Sequence, residues 1–263
     1  MKKYLFIFKS EIMSSLQYLF NTITGFIGYL LMIFIFINLW QFIYSDPSEI
    51  INGYTMNQMI WYVIITEILW GTLNGKKFVV RISNDIKSGN IAYVINKPYN
   101  YILYLLFSNL GSIAIKFIVY IMIAFGIGFI FVGSFPALNI FQLVFIFIIG
   151  ILALIGNILI MIMIGLFSFT IEDSGPFYWL YSKIILVLGT IFPIEYFPVF
   201  FQSILKYSPV LALCYGPAKL FVDFSNHFAT EVLIAQIIYI VIVYLFCLLI
   251  YRKGVKKLNV NGG

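Results

Sequence analysis

The sequence contains few charged residues, one histidine and two cysteines. Only 10% of its 263 residues are charged and 62% are hydrophobic, whereas an average soluble domain is about 25% charged. A soluble enzyme or a nucleic-acid-binding domain of this length needs far more polar surface, so both classes are excluded despite the net charge of +6. The composition therefore predicts a polytopic membrane protein that contacts lipid and binds no nucleic acid.

The same shortages argue against catalysis within this chain. The single histidine, His227, cannot supply a metal motif that needs two histidines, and no nucleophile with a nearby base can be assembled. Gly71 and Gly75 precede a lysine, but they enclose three residues where a phosphate-binding loop has four. We therefore expect no enzyme activity, no cofactor and no metal site in this chain.

Six hydrophobic segments approach the roughly 20 residues that a membrane-spanning helix needs. They predict an all-α polytopic membrane protein with six transmembrane helices in one transmembrane domain, residues 1–263. The segments cover approximately residues 22–43, 57–75, 102–132, 140–169, 177–194 and 229–251.

The basic residues predict how these spans are oriented. Twelve of the 16 lysines and arginines fall on one side, where the positive-inside rule places the cytoplasm. We therefore expect a multi-pass protein of the cell membrane with both termini in the cytoplasm. The twelve are Lys2, Lys3 and Lys9, then Lys76, Lys77, Arg81, Lys87 and Lys97, then Arg252, Lys253, Lys256 and Lys257.

Residues 1–20 have the pattern of an amphipathic helix. Leu5, Phe8, Ile12, Leu16 and Leu19 fall on one arc at 100° per residue, with polar residues opposite. This pattern predicts an interfacial helix along the membrane before the first span. The alternative is an ordinary helical extension of that span.

Residues 196–226, before the last span, are apolar but interrupted by prolines. Proline breaks helices, and irregular backbone at membrane depth is tolerated only where protein buries it or where it lines a cavity. We predict a re-entrant or interfacial helical hairpin on the outer face. A loosely structured outer loop is the alternative, which the apolar content disfavours.

Two ionisable residues, Glu67 and Lys116, lie in consecutive apolar segments. An unpaired charge within a membrane costs at least about 2.5–3.5 kcal/mol, so an intramembrane pair between them is the simplest interpretation. A role in a substrate pathway or in ion coupling is the alternative.

The segment 81–98 lies between the second and third spans and is polar and amphipathic. Nothing in it is needed to cross a membrane, and a plain solvated loop would not contain Ile82, Ile86, Ile91 and Val94 among its charges. We expect it to bind a cytosolic partner.

Four residues of this segment carry a family resemblance. Asp85 is followed four positions on by Gly89, then by a hydrophobic run that includes Ile91, and Pro98 comes nine positions after the glycine. This spacing resembles the first intracellular loop of ABC-2 type transporter permeases, and the six spans and the broken outer hairpin agree with it. Asn90, Ala92 and Lys97 depart from the family pattern and suggest a divergent subgroup.

The resemblance implies a permease subunit of an ABC exporter. Such a subunit forms a homo- or heterodimer with a second permease and docks a separate ATP-binding subunit, which holds ATP and magnesium. It moves an amphiphilic cargo, a drug, lipid or peptide. The implied docking residues are Arg81, Asp85, Gly89, Ile91, Tyr93, Lys97 and Pro98.

Two other function classes remain open at this stage. An ion-coupled secondary transporter could use Glu67, Lys116 or Glu231. A non-transporting membrane immunity or sensor protein could bind a peptide at the outer hairpin.

Overall fold

The computed structural model describes residues 2–17, 19–46, 48–95, 97–171 and 173–261. Residues 1 and 18 of the predicted interfacial helix and residue 96 of the segment 81–98 therefore lie outside the described residues. The helices are α1 (Lys2–Gln17), α2 (Leu19–Ile43), α3 (Met56–Thr72), α4 (Gly75–Lys87), α5 (Ile91–Ile95), α6 (Tyr101–Val132), α7 (Ile140–Leu166), α8 (Gly175–Ile185), α9 (Val199–Lys206), α10 (Gly216–Val222) and α11 (Asn226–Asn261).

Four of the helices in the described part of the chain are long and apolar enough to cross a bilayer: α2, α6, α7 and α11. The prediction of a helical multi-pass membrane protein is confirmed. Helix α3 has 17 residues, and α8 continues as a π-helical turn to Ile191. At 1.5 Å per residue, α3 is about 25 Å long, at the lower limit for a span. Length and composition alone therefore do not establish six spans.

Helix α3 forms the centre of the bundle. Most of its residues from Met59 to Leu69 are buried, and it packs against α2, α6 and α10. Thr55 begins the helix with a capping box, in which its side chain accepts from the backbone N–H of Gln58 and the Gln58 side chain accepts from the Thr55 N–H. These bonds satisfy N–H groups that the first turn of a helix leaves free.

A short β-hairpin connects α2 to α3. Strands β1 (Ile50–Ile51) and β2 (Tyr54–Thr55) pair antiparallel, and Asn52 and Gly53 between them have φ values of 49° and 87°. Asn-Gly favours this two-residue turn because both residues tolerate positive φ. The sequence analysis predicted helices alone and missed this element.

Helix α1 runs beside the first half of α6 in the same direction. The Tyr4 hydroxyl accepts from the backbone N–H of Asn100, and the Ser15 hydroxyl donates to the carbonyl of Ser112. The two contacts are separated by 11 residues in α1 and 12 in α6, so the helix axes are nearly aligned. An interfacial position for α1 therefore requires the first turns of α6 to lie at the interface as well.

The segment between α8 and α11 is helical and partly buried. It contains a 3-10 turn (Ile194–Tyr196), α9, a π-helical turn (Leu211–Tyr215) and α10. Pro193 and Pro198 each immediately precede a helical element, where a missing N–H costs nothing. Helix α10 packs against α3 and α7, so the second half of this segment belongs to the core.

Candidate functional site

Helix α4 presents one apolar face and one basic face. Its buried residues recur at the spacing of a single helical stripe: Gly75, Phe78, Val79, Ile82, Ser83 and Ile86. Lys76, Lys77, Arg81 and Lys87 are exposed on the other side. Residues 81–87 are therefore part of a regular helix that begins at Gly75, not of a flexible loop.

The apolar face of α4 is seated on the ends of α7 and α8. Ile82 lies against Gly165 of α7 so closely that a β-carbon at Gly165 would be 2.8 Å from the Ile82 β-carbon. Beside this contact, the Ser168 hydroxyl donates to the Ser83 hydroxyl at 2.8 Å. Because these contacts are buried and close-packed, α4 cannot move relative to α7 without disrupting their interface.

Gly89 turns the chain out of α4 and into α5. Its φ of 74° lies in the left-handed region, which costs a residue with a β-carbon roughly 1–2 kcal/mol. The backbone N–H of Ser88 donates to the carbonyl of Asn84, and that of Gly89 donates to the carbonyl of Ile86, which closes the helix end. After this turn, Ile91 is buried in the hydrophobic core.

The structure divides the seven predicted docking residues into three groups. Tyr93 is 77% exposed, Asp85 is half-buried, and Ile91 is fully buried and cannot reach a partner. The turn at Gly89 explains the correction, because it points Ile91 into the core and makes it an anchor for α5. The exposed members are Arg81, Gly89, Tyr93, Lys97 and Pro98.

The half-buried position of Asp85 affects its charge. Burial raises the pKa of this carboxyl, and the positive charge of Arg81 partly opposes the increase. Asp85 is the one carboxyl group in this basic helix, and it lies at the edge of the exposed face.

The N-terminal helix joins the far end of this segment. Lys3 donates to the carbonyl of Pro98, and Tyr4 stacks on Phe107 of α6 at 5.6 Å between ring centroids. Together α4, α5 and the start of α1 form one continuous surface at one end of the bundle, which we call the basic end surface. It contains the exposed members of α4, Tyr93, Lys97, Pro98 and Lys3.

Glu67 and Lys116 do not form the direct ion pair that the sequence favours. In the described parts of the chain, Lys116 donates to the Asn74 side chain at 3.2 Å and lies over the ring of Tyr120, while Oε1 of Glu67 has no hydrogen-bond partner. Both residues line one cavity of about 330 Å³, together with Lys183. Glu67 and Lys116 therefore line the same cavity without forming a direct ion pair.

A polar cluster at the opposite end of the bundle went unrecognised in the sequence. Glu195 accepts from the hydroxyl of Tyr54 at 3.0 Å, from that of Tyr215 at 2.5 Å and from Lys219. Burial raises the pKa of Glu195, but the hydrogen bonds from Lys219 and Tyr215 lower it by more. The pKa of Glu195 is therefore below its ordinary value. The cluster ties β2, the 3-10 turn and α10 together across more than 160 residues of sequence.

Two π-helical turns pack against each other in the core, which the sequence also did not indicate. Carbonyls that these turns release accept hydrogen bonds from side chains on three neighbouring helices. Tyr62 of α3 donates to the carbonyl of Gly189 at 2.6 Å, Gln236 of α11 to that of Ala212 at 2.8 Å, and Asn157 of α7 to that of Leu213 at 3.4 Å. π turns recur at functional positions in helices.

Comparison with known protein families identifies the chain. A family model described as ABC-2 family transporter protein matches residues 13–262, nearly the whole sequence. No curated protein matches the chain. The chain belongs to the ABC-2 transporter family, which confirms the resemblance found in the 81–98 segment and makes it a transmembrane component of a membrane transporter.

Proposed function

We propose that this chain is the permease subunit of an ATP-driven exporter, and that a separate ATP-binding subunit docks on the basic end surface. One observation carries the proposal most directly. Arg81 of α4 and Tyr93 of α5 are exposed, while the opposite face of α4 packs against α7. A partner that pushes on this surface moves a rigid element and not a loop.

The close contact between Ile82 and Gly165 supplies the path for that movement. Side chains in a close-packed interface cannot be compressed, so a displacement of α4 must displace α7 or separate the two helices. Nucleotide binding in the partner can thereby bias two arrangements of the bundle, which transport coupling requires.

The charge of the surface also agrees with a protein partner. Lys76, Lys77, Arg81 and Lys87 place four cations along one side of α4, and complementary charge accelerates and orients association. These four residues belong to the twelve basic residues that the positive-inside rule places in the cytoplasm. We therefore expect this end of the bundle and both termini to be cytoplasmic.

The remaining features of the proposed exporter follow the same family expectation. Helices α3 and α8 join the four long helices to make six spans, residues 196–226 form the outer re-entrant hairpin, and two permeases form a dimer. The exposed apolar faces of α2 and α8 provide surface for lipid or for the second permease. The cargo is an amphiphile, since the polar cavity at Glu67 opens beside those apolar faces.

Affinity purification of the tagged chain in mild detergent tests the docking. Tyr93→Ala removes an exposed ring, so the fold is expected to persist while recovery of the ATP-binding subunit decreases at least several-fold. Tyr207→Ala is the matched control, because Tyr207 is 85% exposed at the opposite end of the bundle. Equal recovery of the ATP-binding subunit with both variants, or recovery of the chain alone from wild-type cells, would refute the proposal.

A further inference from the structure

The cavity at Glu67 is lined by both aromatic and charged side chains. Residues from α2, α3, α6 and α8 enclose about 330 Å³. Three aromatic rings line it, those of Tyr29, Trp70 and Tyr120, together with one carboxylate and two ammonium groups. This cavity therefore brings charges of both signs and aromatic rings together inside the bundle.

Glu67 is the most deeply buried of these charged groups. Its side chain is 3% exposed, and Oε1 has no hydrogen-bond partner in the described residues. A buried carboxylate oxygen without a donor is costly. A ligand that brings a cationic N–H donor into the cavity would remove that cost, and the aromatic rings would favour the same cation.

The two lysines make a simple cation a poor match. Lys116 and Lys183 both line the cavity, and each is already placed over an aromatic ring, at 5.0 Å from Tyr120 and 6.0 Å from Trp179. They would repel a ligand with positive charge alone. A ligand with an ammonium group near Glu67 and an anionic group near the two lysines would be complementary to both the negative and the positive charges of the cavity.

The opening of the cavity indicates what is attached to such a head group. Gly28 on α2 and Lys183 on α8 are its exposed lining residues. Exposed apolar side chains flank both, Ile27 beside Gly28 and Ile184 beside Lys183. An apolar tail leaving the cavity would therefore meet apolar surface immediately.

We propose that this cavity binds the zwitterionic head group of an amphiphile, with its ammonium group at Glu67 and its anionic group at Lys116 and Lys183. The inference rests on the proposed function, because it names the class of cargo. It assigns to the two intramembrane charges a shared ligand in place of a direct pair.

Equilibrium binding to the purified full-length chain tests the assignment with three probes. Dihexanoylphosphatidylethanolamine has both charges, dihexanoylphosphatidylglycerol lacks the ammonium group, and dodecylammonium lacks the anion. We expect the first to bind at least about 10-fold more tightly than either of the others, because each lost charge-assisted hydrogen bond costs about that factor. Equal binding of all three would overturn the proposal.

Matched variants locate the site. Glu67→Gln keeps the shape of the side chain and is expected to weaken phosphatidylethanolamine binding about 10-fold, while Glu231→Gln, an exposed carboxylate, leaves it unchanged. Glu67→Asp keeps the charge and should retain part of the affinity. A folding defect would be recognised because both Glu67→Gln and Glu67→Asp would then lose binding. Unchanged binding in Glu67→Gln would refute the assignment.

Two further measurements distinguish failure of this inference from failure of the proposed function. Phosphoethanolamine, the head group without tails, is expected to bind at least 10-fold more weakly than the lipid, and equal binding would replace the amphiphile with a water-soluble zwitterion and overturn the proposal. The binding assay needs no ATP-binding subunit. Absent lipid binding in a chain that still recovers that subunit would therefore refute this inference alone, whereas lipid binding without the subunit would refute only the proposed function.

Discussion

Gly165 of α7 and Ile82 of α4 form a close contact between the two helices. The position of Gly165 leaves no room for a side chain, since a β-carbon there would lie 2.8 Å from the β-carbon of Ile82 and 2.9 Å from its γ2-methyl group. Because the β-carbon of Ile82 itself is in the way, a rotamer change cannot relieve the overlap. The absence of a side chain at Gly165 therefore lets Ile82 pack directly against the backbone of α7.

The first prediction concerns this contact. Gly165→Ala forces α4 away from α7, and overpacking of this kind reduces the free energy of unfolding by about 1–3 kcal/mol. Gly126→Ala in α6 is the control, because nothing lies within 4 Å of a β-carbon there, and alanine is the better helix former by about 1 kcal/mol. Thermal unfolding in detergent measures both, and a Gly165→Ala variant as stable as Gly126→Ala would contradict the packing.

The second prediction concerns the turn at Gly89. No atom lies within 4 Å of a β-carbon at this position, so a substitution is limited by the positive φ alone. Gly89→Ala should weaken capture of the ATP-binding subunit, Gly89→Asn should weaken it less because asparagine tolerates this conformation, and Gly89→Pro should abolish capture. Co-purification gives the order of the three variants; identical recovery with proline would show that the turn does not position the docking surface.

The third prediction concerns the π-helical turns. Tyr62→Phe removes only the hydroxyl that donates to the carbonyl of Gly189, and leaves that carbonyl buried without its donor. The expected cost is about 1–3 kcal/mol of the free energy of unfolding. Tyr93→Phe removes a hydroxyl from an exposed ring and should change stability by less than about 0.5 kcal/mol. The difference between the two unfolding transitions is the measurement.

The fourth prediction concerns the pH dependence of the Glu195 cluster. The folded protein holds the Glu195 pKa below its ordinary value of 4.5. Its contribution to stability is therefore complete above pH 4.5 and is lost as the pH falls through the lower folded value. Lys219→Met removes one of the hydrogen bonds responsible and should lower the melting temperature at pH 7 while reducing its decline below pH 4.5. Parallel pH curves for wild type and variant would show that Lys219 does not set this pKa.

The fifth prediction concerns orientation in the membrane. Cys214 and Cys247 are both buried, so an introduced surface cysteine can be labelled selectively. A membrane-impermeant maleimide should label Tyr207→Cys in intact cells and Tyr93→Cys only after permeabilisation, because positive-inside topology places the basic end surface in the cytoplasm. The opposite pattern would invert the proposed topology.

The sequence was informative where a property depends on local pattern. Three features are visible without a structure: the apolar residues Ile82 and Ile86 among the charges of the segment 81–98, the glycine at position 89, and the long apolar runs of α6, α7 and α11. The apolar runs predicted a helical membrane protein, and Asp85, Gly89, Ile91 and Pro98 carried the resemblance to the ABC-2 family. The sequence could not place Ile91, because only the direction of the chain after the Gly89 turn decides whether its side chain faces a partner or the core.

Pairings between distant residues required the structure. Glu67 and Lys116 have the right signs and the right depth, but side chains that share a cavity need not touch, and Lys116 has Asn74 within reach. Glu195 and Lys219 are 24 residues apart within a segment broken by prolines, so no helical periodicity predicts that they meet. In both cases the distance between charges depends on the packing of several helices at once.

By itself, therefore, the sequence determined that this is a helical membrane protein and carried its family resemblance, since composition and periodicity follow from the need to satisfy backbone hydrogen bonds and bury apolar surface in lipid. Only the tertiary structure decided which polar groups inside the bundle are paired and which remain free. Glu195 is paired with Lys219, and Oε1 of Glu67 has no hydrogen-bond partner among the residues that the structure describes. A hydrogen bond forms only within about 3 Å, and such a distance between remote helices is set by the packing of the whole bundle.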